Sequence, residues 1–145
     1  MALWSKLNKS KHADLEKVIY DIAEFGRDED FHRMYDLIKN RELYLPVEPS
    51  SLPQGLEPGA KIITDSSNHI RIKSVSGPNG EMLVPAATSE QHSMVNGGYV
   101  GMEWKGLLEL VLKMPNAWGV LVQGQTSYVA LDNERIKYVL ALPNA

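Results

Sequence analysis

Between Leu15 and Val47 the apolar residues of this chain change their spacing, and that change restricts the folds open to it. Leu15, Val18, Ile19, Ile22 and Ala23 fall at i, i+3, i+4, i+7 and i+8, one stripe of an amphipathic helix beginning at Asp14. Gly26 stops the stripe. Asp28-Glu-Asp30 then suits the positive end of a second helix, whose buried side is Phe31, Met34, Leu37 and Ile38. After Asn40 the period drops to two. Leu43, Leu45 and Val47 point one way and Tyr44 and Pro46 the other, the pattern of a strand, and Pro46 places that strand at an edge or near its end. Two short antiparallel helices therefore run into a sheet.

The remaining segments extend this pattern. Residues 48–60, EPSSLPQGLEPGA, hold too many prolines and glycines for regular structure and read as a loop inside the domain. Lys61–Thr64, His69–Val75 and Glu81–Ala86 read as short strands separated by the turn clusters Asp65-Ser-Ser-Asn68 and Gly77-Pro-Asn-Gly80, which an antiparallel meander accommodates. Helical period returns in Glu103–Met114 through Trp104, Leu107, Leu108, Val111 and Leu112, and Pro115 blocks its continuation. Gly119–Gln123 and Thr126–Leu131 are further strands. Asp132 or Asn133 then caps a last helix with Ile136, Val139 and Leu140 on its apolar face. Helices and strands are partly segregated along the chain, so the expected class is α+β, a mixed or antiparallel sheet of about five to six strands packed with helices. At 145 residues there is room for one core. The expectation is a single domain over 1–145, with residues 1–12 as a frayed start.

Composition narrows the chemistry. The chain has no cysteine, which removes disulfides, thiolate metal sites and a cysteine nucleophile. A formal charge of -3 supplies no global field for nucleic acid, whose binding depends on Lys and Arg neutralising phosphates. The N-terminus has neither the apolar core nor the small-residue cleavage site of a secretory signal, and no apolar run approaches membrane-spanning length. The expected location is the cytoplasm, with no membrane or nucleic-acid partner.

Thr88-Ser-Glu-Gln91, at the end of the apolar run GEMLVPAA, admits two readings. It matches a capping box, in which Thr88 accepts from a backbone N–H three residues on and Gln91 reaches back. Ser89 and His92, three residues apart, would alternatively form a nucleophile and its base, but neither an elbow of the Gly-x-Ser-x-Gly type nor an orienting third group accompanies them. The cap is the favoured reading, and no residue is assigned a catalytic role. His12, His32, His69 and His92 show no metal-ligand spacing, so neither a metal nor another cofactor is expected. The glycines of Asn96-Gly-Gly-Tyr-Val-Gly101 lack the Lys-Ser/Thr of a phosphate cradle and read as a flexible loop. Alternation places Tyr44, His69, Arg71 and Lys73 on the outward faces of their strands, an aromatic with cations beside it, suited to recognising a protein.

The element order resembles the SseB N-terminal domain family, small bacterial proteins named after an enhanced-serine-sensitivity phenotype. The likeness runs from Asp30 to Leu140 and rests on Glu42-Leu-Tyr-Leu-Pro-Val47 after a helix, Gly80-Glu-Met-Leu-Val-Pro-Ala-Ala-Thr-Ser89, Trp104-Lys-Gly-Leu-Leu-Glu-Leu-Val111 and Gly119-Val-Leu-Val122. The chain departs from the family at Ala87, where Phe is usual, and at Gln123-Gly124, where Asn-Pro commonly follows the strand. The resemblance implies an α+β binding module with no catalytic residues to carry over. The function expected from these readings together is a non-enzymatic module that binds and restrains another bacterial protein, such as an immunity or inhibitor protein neutralising a toxin. The alternatives are a small-ligand regulatory module linked to amino-acid metabolism and a hydrolase using Ser89 and His92.

Overall fold

The computed structural model describes residues 2–48 and 71–143, with side chains from residue 13 onward in the first helix. Most of the 48–60 loop, the Lys61–Thr64 strand and His69 lie outside these residues. Helix α1 spans Ala2–Phe25 and buries Leu15, Val18, Ile19 and Ile22, while Ala23, expected on the same stripe, is exposed. It ends at Gly26, whose φ of +63° is left-handed, and the Gly26 N–H donates to the Ile22 carbonyl at 2.9 Å, closing the last turn. Helix α2, Asp28–Ile38, follows after Arg27. Its first-turn Asp30 is only 2% exposed and is held by Arg27 Nε at 2.7 Å and Arg33 at 3.4 Å, and Arg33 also lies 4.0 Å from the buried Asp21 of α1. This charge network ties the two helices together.

The strands are β1 (Glu42–Pro46), β2 (Val75–Ser76), β3 (Met82–Ala87), β4 (Tyr99–Glu103), β5 (Ala117–Gln123) and β6 (Tyr128–Asp132). They form one sheet in the order β4-β1-β3-β5-β6, with β2 also on β3. The pair β3–β5 is parallel and all others are antiparallel, so the sheet is mixed. The chain between the parallel strands crosses over through a 3-10 turn (Ser93–Val95), β4 and helix α3 (Trp104–Lys113). Helix α4, Asn133–Leu140, closes the fold, and Asp132 caps it by accepting from the Arg135 N–H at 2.8 Å.

One face of the sheet meets the helices. Leu43, Leu45, Val84, Ala86, Val120, Val122, Val129 and Leu131 share a single buried cluster with the apolar sides of all four helices, including the 1% exposed Trp104 of α3. Alternation then sends Tyr44, Pro85, Ala87, Tyr99, Leu121 and Tyr128 to the opposite face, helix-free among the described residues, where Pro85 and Ala87 are nonetheless buried.

Three expectations need correction. The segment Asn96–Gly101 is not a loop throughout: from Tyr99 it is β4, paired with β1 from Glu42↔Glu103 to Pro46↔Tyr99. Its period of two, with Val100 and Met102 packed on the core, is diluted by the surrounding glycines. The meander is only partial, because β2 and β3 form the antiparallel hairpin around Gly77–Gly80 while β3 takes β5 as a parallel neighbour. The first helix, finally, begins at Ala2 rather than Asp14, so residues 2–12 are helical and not a frayed start; strand β1 is interior and Pro46 ends it, the second of the two places expected for that proline.

The ladder explains why an interior strand tolerates a proline. The rung Tyr44↔Ala87, continued by two residues, would set Pro46 opposite Pro85. The Lys73 N–H reaches the Pro46 carbonyl at 2.9 Å on the β3 side of β1. On β3, the Thr88 N–H points to the Gln123 carbonyl of β5 at 3.1 Å, so the odd residues Pro85 and Ala87 face β1. Neither proline has an N–H to give, and the two strands part after one rung. Residues 71–76 fill the gap, bridging Val47 through Ile72 and then pairing with β3.

Candidate partner-binding face

Tyr44, Arg71 and Lys73 lie on the helix-free face, because Arg71 and Lys73 flank the Val47↔Ile72 bridge opposite Glu48 and Pro46. Arg71 and Lys73 are exposed and Tyr44 is half-buried. Tyr44 stacks edge-to-face on Tyr99, with ring centroids 5.4 Å apart and planes at 89°. His69 lies outside the described residues. The face continues to the far edge with Leu121, Gln123 and the 60% exposed Tyr128. At the start of β5 a bulge skips Trp118 between the rungs Met82↔Ala117 and Leu83↔Gly119, leaving the indole 42% exposed. Bulges of this kind re-aim a side chain out of the regular pleat. Only the glycine at 119 permits the accompanying close approach, since a Cβ there would lie 2.0 Å from the Leu131 carbonyl oxygen.

The Thr88–Ser93 stretch has neither of its expected architectures. Thr88 is 1% exposed and caps no helix. Its hydroxyl donates to Glu16 Oε1 of α1 at 2.7 Å, and Glu16 Oε2 accepts from the Gln125 N–H at 2.8 Å. One carboxylate thus latches α1 to the carboxyl ends of β3 and β5. The hydroxyl directs its proton to a charged acceptor brought in by packing, and the Gln91 N–H that a cap would direct to Thr88 goes elsewhere. Ser89 Oγ accepts from the Gln91 N–H at 3.1 Å, and the helical turn that does follow is capped by His92, whose Nδ1 accepts from the Met94 N–H at 3.1 Å. The His92 ring nitrogen nearest the chain is therefore committed to the backbone, and no hydrogen bond joins it to Ser89 among the described residues.

Beside this turn lies a wide-open cleft of about 270 Å³ lined by Arg41, Tyr44, Thr88, Ser89, Glu90, Gln91 and Gln125. It sits at the carboxyl ends of the parallel strands β3 and β5, where open α/β sheets often bind ligands. Glu90 Oε2 accepts from the Tyr99 hydroxyl at 2.7 Å. That bond, then burial, raises the Tyr99 pKa, whereas Tyr44 is raised first by burial and then by the charges of Glu90 and Glu42. A second open groove, of about 400 Å³, runs beside β6 between Ile22, Phe31 and Tyr128. Among the described residues no group of three or more His, Cys, Asp and Glu could hold a metal ion, and no helix is long and apolar enough to cross a membrane.

Alternation in the sequence marks Tyr44 but does not reveal how Tyr44, Tyr99, Trp118 and Tyr128 are arranged. It also misses the role of Glu16, whose neighbours in sequence carry no sign of a bond to Thr88. Comparison of the chain with family models, with curated proteins and with solved structures finds no match.

Proposed function

We propose that this chain is a non-enzymatic, cytoplasmic protein-binding module that binds and restrains a bacterial partner protein through the helix-free face of its sheet, in the manner of an immunity or inhibitor protein. The SseB-like element order is consistent with such a module. The observation that carries the reading is the sheet's second face, on which no α-helix packs among the described residues and where Tyr128, Tyr99 and Lys73 are exposed and Leu121 half-buried. Aromatic side chains on a rigid surface are favourable interface anchors. The hydroxyl and imidazole that a hydrolase would use are instead engaged in turn geometry. The polar cleft beside Glu90 favours the second reading, a small-ligand regulatory module; a thermal-shift screen of small polar metabolites tests it, and a saturable rise in midpoint would put that reading first.

Affinity capture from the native host, followed by expression of the captured protein with and without this chain, tests the leading reading. The captured protein alone should impair growth and the pair should not. Tyr128→Ala with Lys73→Glu should abolish both capture and protection while leaving the thermal midpoint nearly unchanged, because both side chains are exposed. Full capture by the double variant would move the interface off this face.

A further inference from the structure

Taking the helix-free face as a protein-binding surface, as proposed above, we infer that its β1–β4 end receives a basic side chain of the partner, seated in the corner formed by Tyr44 and Tyr99. The two tyrosines are diagonal neighbours across the ladder, since Pro46 pairs with Tyr99 and Tyr44 with Gly101. Their perpendicular rings, with centroids 5.4 Å apart, offer π surface in two directions, and a cation within about 6 Å of a ring face is attracted to it. Carboxylates surround this corner. Glu90 is bonded to the Tyr99 hydroxyl. The Glu42 carboxylate lies over Gly101, filling the space that a Cβ there would need.

Glu42 also stands directly opposite Glu103 in the ladder, and like charges in that position destabilise a strand pair. None of Glu42, Glu90 and Glu103 is in an ion pair among the described residues, whereas Asp21, Asp28, Asp30 and Glu134 of the helical layer are each paired. Strands β1 and β4 contain neither Lys nor Arg. Arg41 lines the adjoining cleft with Tyr44 and Glu90, one cation beside three carboxylates, and Arg71 and Lys73 lie on the other flank of β1. Burial first, and then the charges of Glu90 and Glu42, raise the Tyr44 pKa, while the bond to Glu90 comes first in raising that of Tyr99. A guanidinium or ammonium group complements both the charge and the rings. Without it, the Glu42–Glu103 repulsion has no compensation on these strands.

The test uses the full chain labelled with ¹⁵N and titrated with N-acetyl-arginine amide, N-acetyl-lysine amide and the neutral N-acetyl-glutamine amide. Saturable shifts of the Glu42–Tyr44 and Tyr99–Glu103 amides with either cation, absent with the neutral compound, are expected. Affinity should fall about fivefold when Glu42 and Glu90 become Gln, and it should fall again as salt rises from about 0.05 to about 0.5 M, which screens exposed charges. Should the Glu42→Gln/Glu90→Gln protein misfold, Glu103→Gln, at an exposed position, should weaken the same shifts. Shifts of equal size with the glutamine amide, no shifts at all, or cation shifts indifferent to these substitutions would overturn the inference. Capture depends on Tyr128 and Lys73 and this titration on Glu42, Glu90 and Glu103, so either can fail without the other.

Discussion

Tyr99 combines a partly exposed ring with an anchored hydroxyl, and its titration reports the charge around it. The hydroxyl donates to Glu90; ionising it would set phenolate against carboxylate, so its pKa is raised, first by that bond and then by burial. A raised tyrosine pKa means that the folded state holds its proton more tightly than the unfolded chain, whose tyrosines titrate near about 10. The contribution to stability is therefore complete below about pH 10 and is lost as pH rises through the folded value. Ultraviolet difference titration should show tyrosine ionising above the ordinary range, and Glu90→Gln should bring one such group back toward it. An unchanged titration in that variant would mean that Glu90 does not govern Tyr99. The pair was not legible in the sequence: Glu90 stands in a turn motif and Tyr99 in a glycine-rich stretch, and the two meet because β3, which leads into Glu90, and β4 both pair with β1.

At the scale of elements, the latch from α1 to the sheet has the clearest energetic signature. The Thr88–Glu16 hydrogen bond spans 72 positions of sequence and engages a charged acceptor. Bonds to charged groups contribute about 1.5–3 kcal/mol, and the partial exposure of Glu16 places the expected cost of Thr88→Val near about 1–2 kcal/mol. Thr88→Ser, which keeps the hydroxyl, should recover most of it. Urea denaturation measures both. In a double-mutant cycle, Thr88→Val and Glu16→Gln should couple by at least about 0.5 kcal/mol; strict additivity would dissociate the hydroxyl from the latch. A hydroxyl with a structural task at the end of β3 is visible in the residues TSEQ, but its acceptor is not. A capping box is a local pattern, and here Ser89 takes the Gln91 N–H that the box assigns to Thr88, while α1 brings the acceptor for the Thr88 hydroxyl.

Among the described residues, the sheet and four helices share an apolar cluster, so the molecule should unfold as one unit. Far-UV circular dichroism and tryptophan fluorescence should give coincident thermal transitions, and Trp104→Ala, at a position 1% exposed, should lower stability by about 3–5 kcal/mol. Two separated transitions would divide the core. Local pattern was enough for α1 from Asp14 onward, for helices α2 to α4, for the strands β1, β3, β5 and β6 and for a cap at Asp132 or Asn133, because apolar period and terminating residues are properties of a few neighbouring positions. The tertiary structure alone decided the pairing of β4 with β1, the parallel neighbours β3 and β5, the parting of two strands at Pro46 and Pro85, and the tyrosine corner. Each of those depends on which strand edge or side chain arrives from a distant part of the chain. A strand's alternation specifies its faces, but its edges present the same N–H and C=O groups whatever the side chains, so choosing a neighbour falls to the packing of the whole fold.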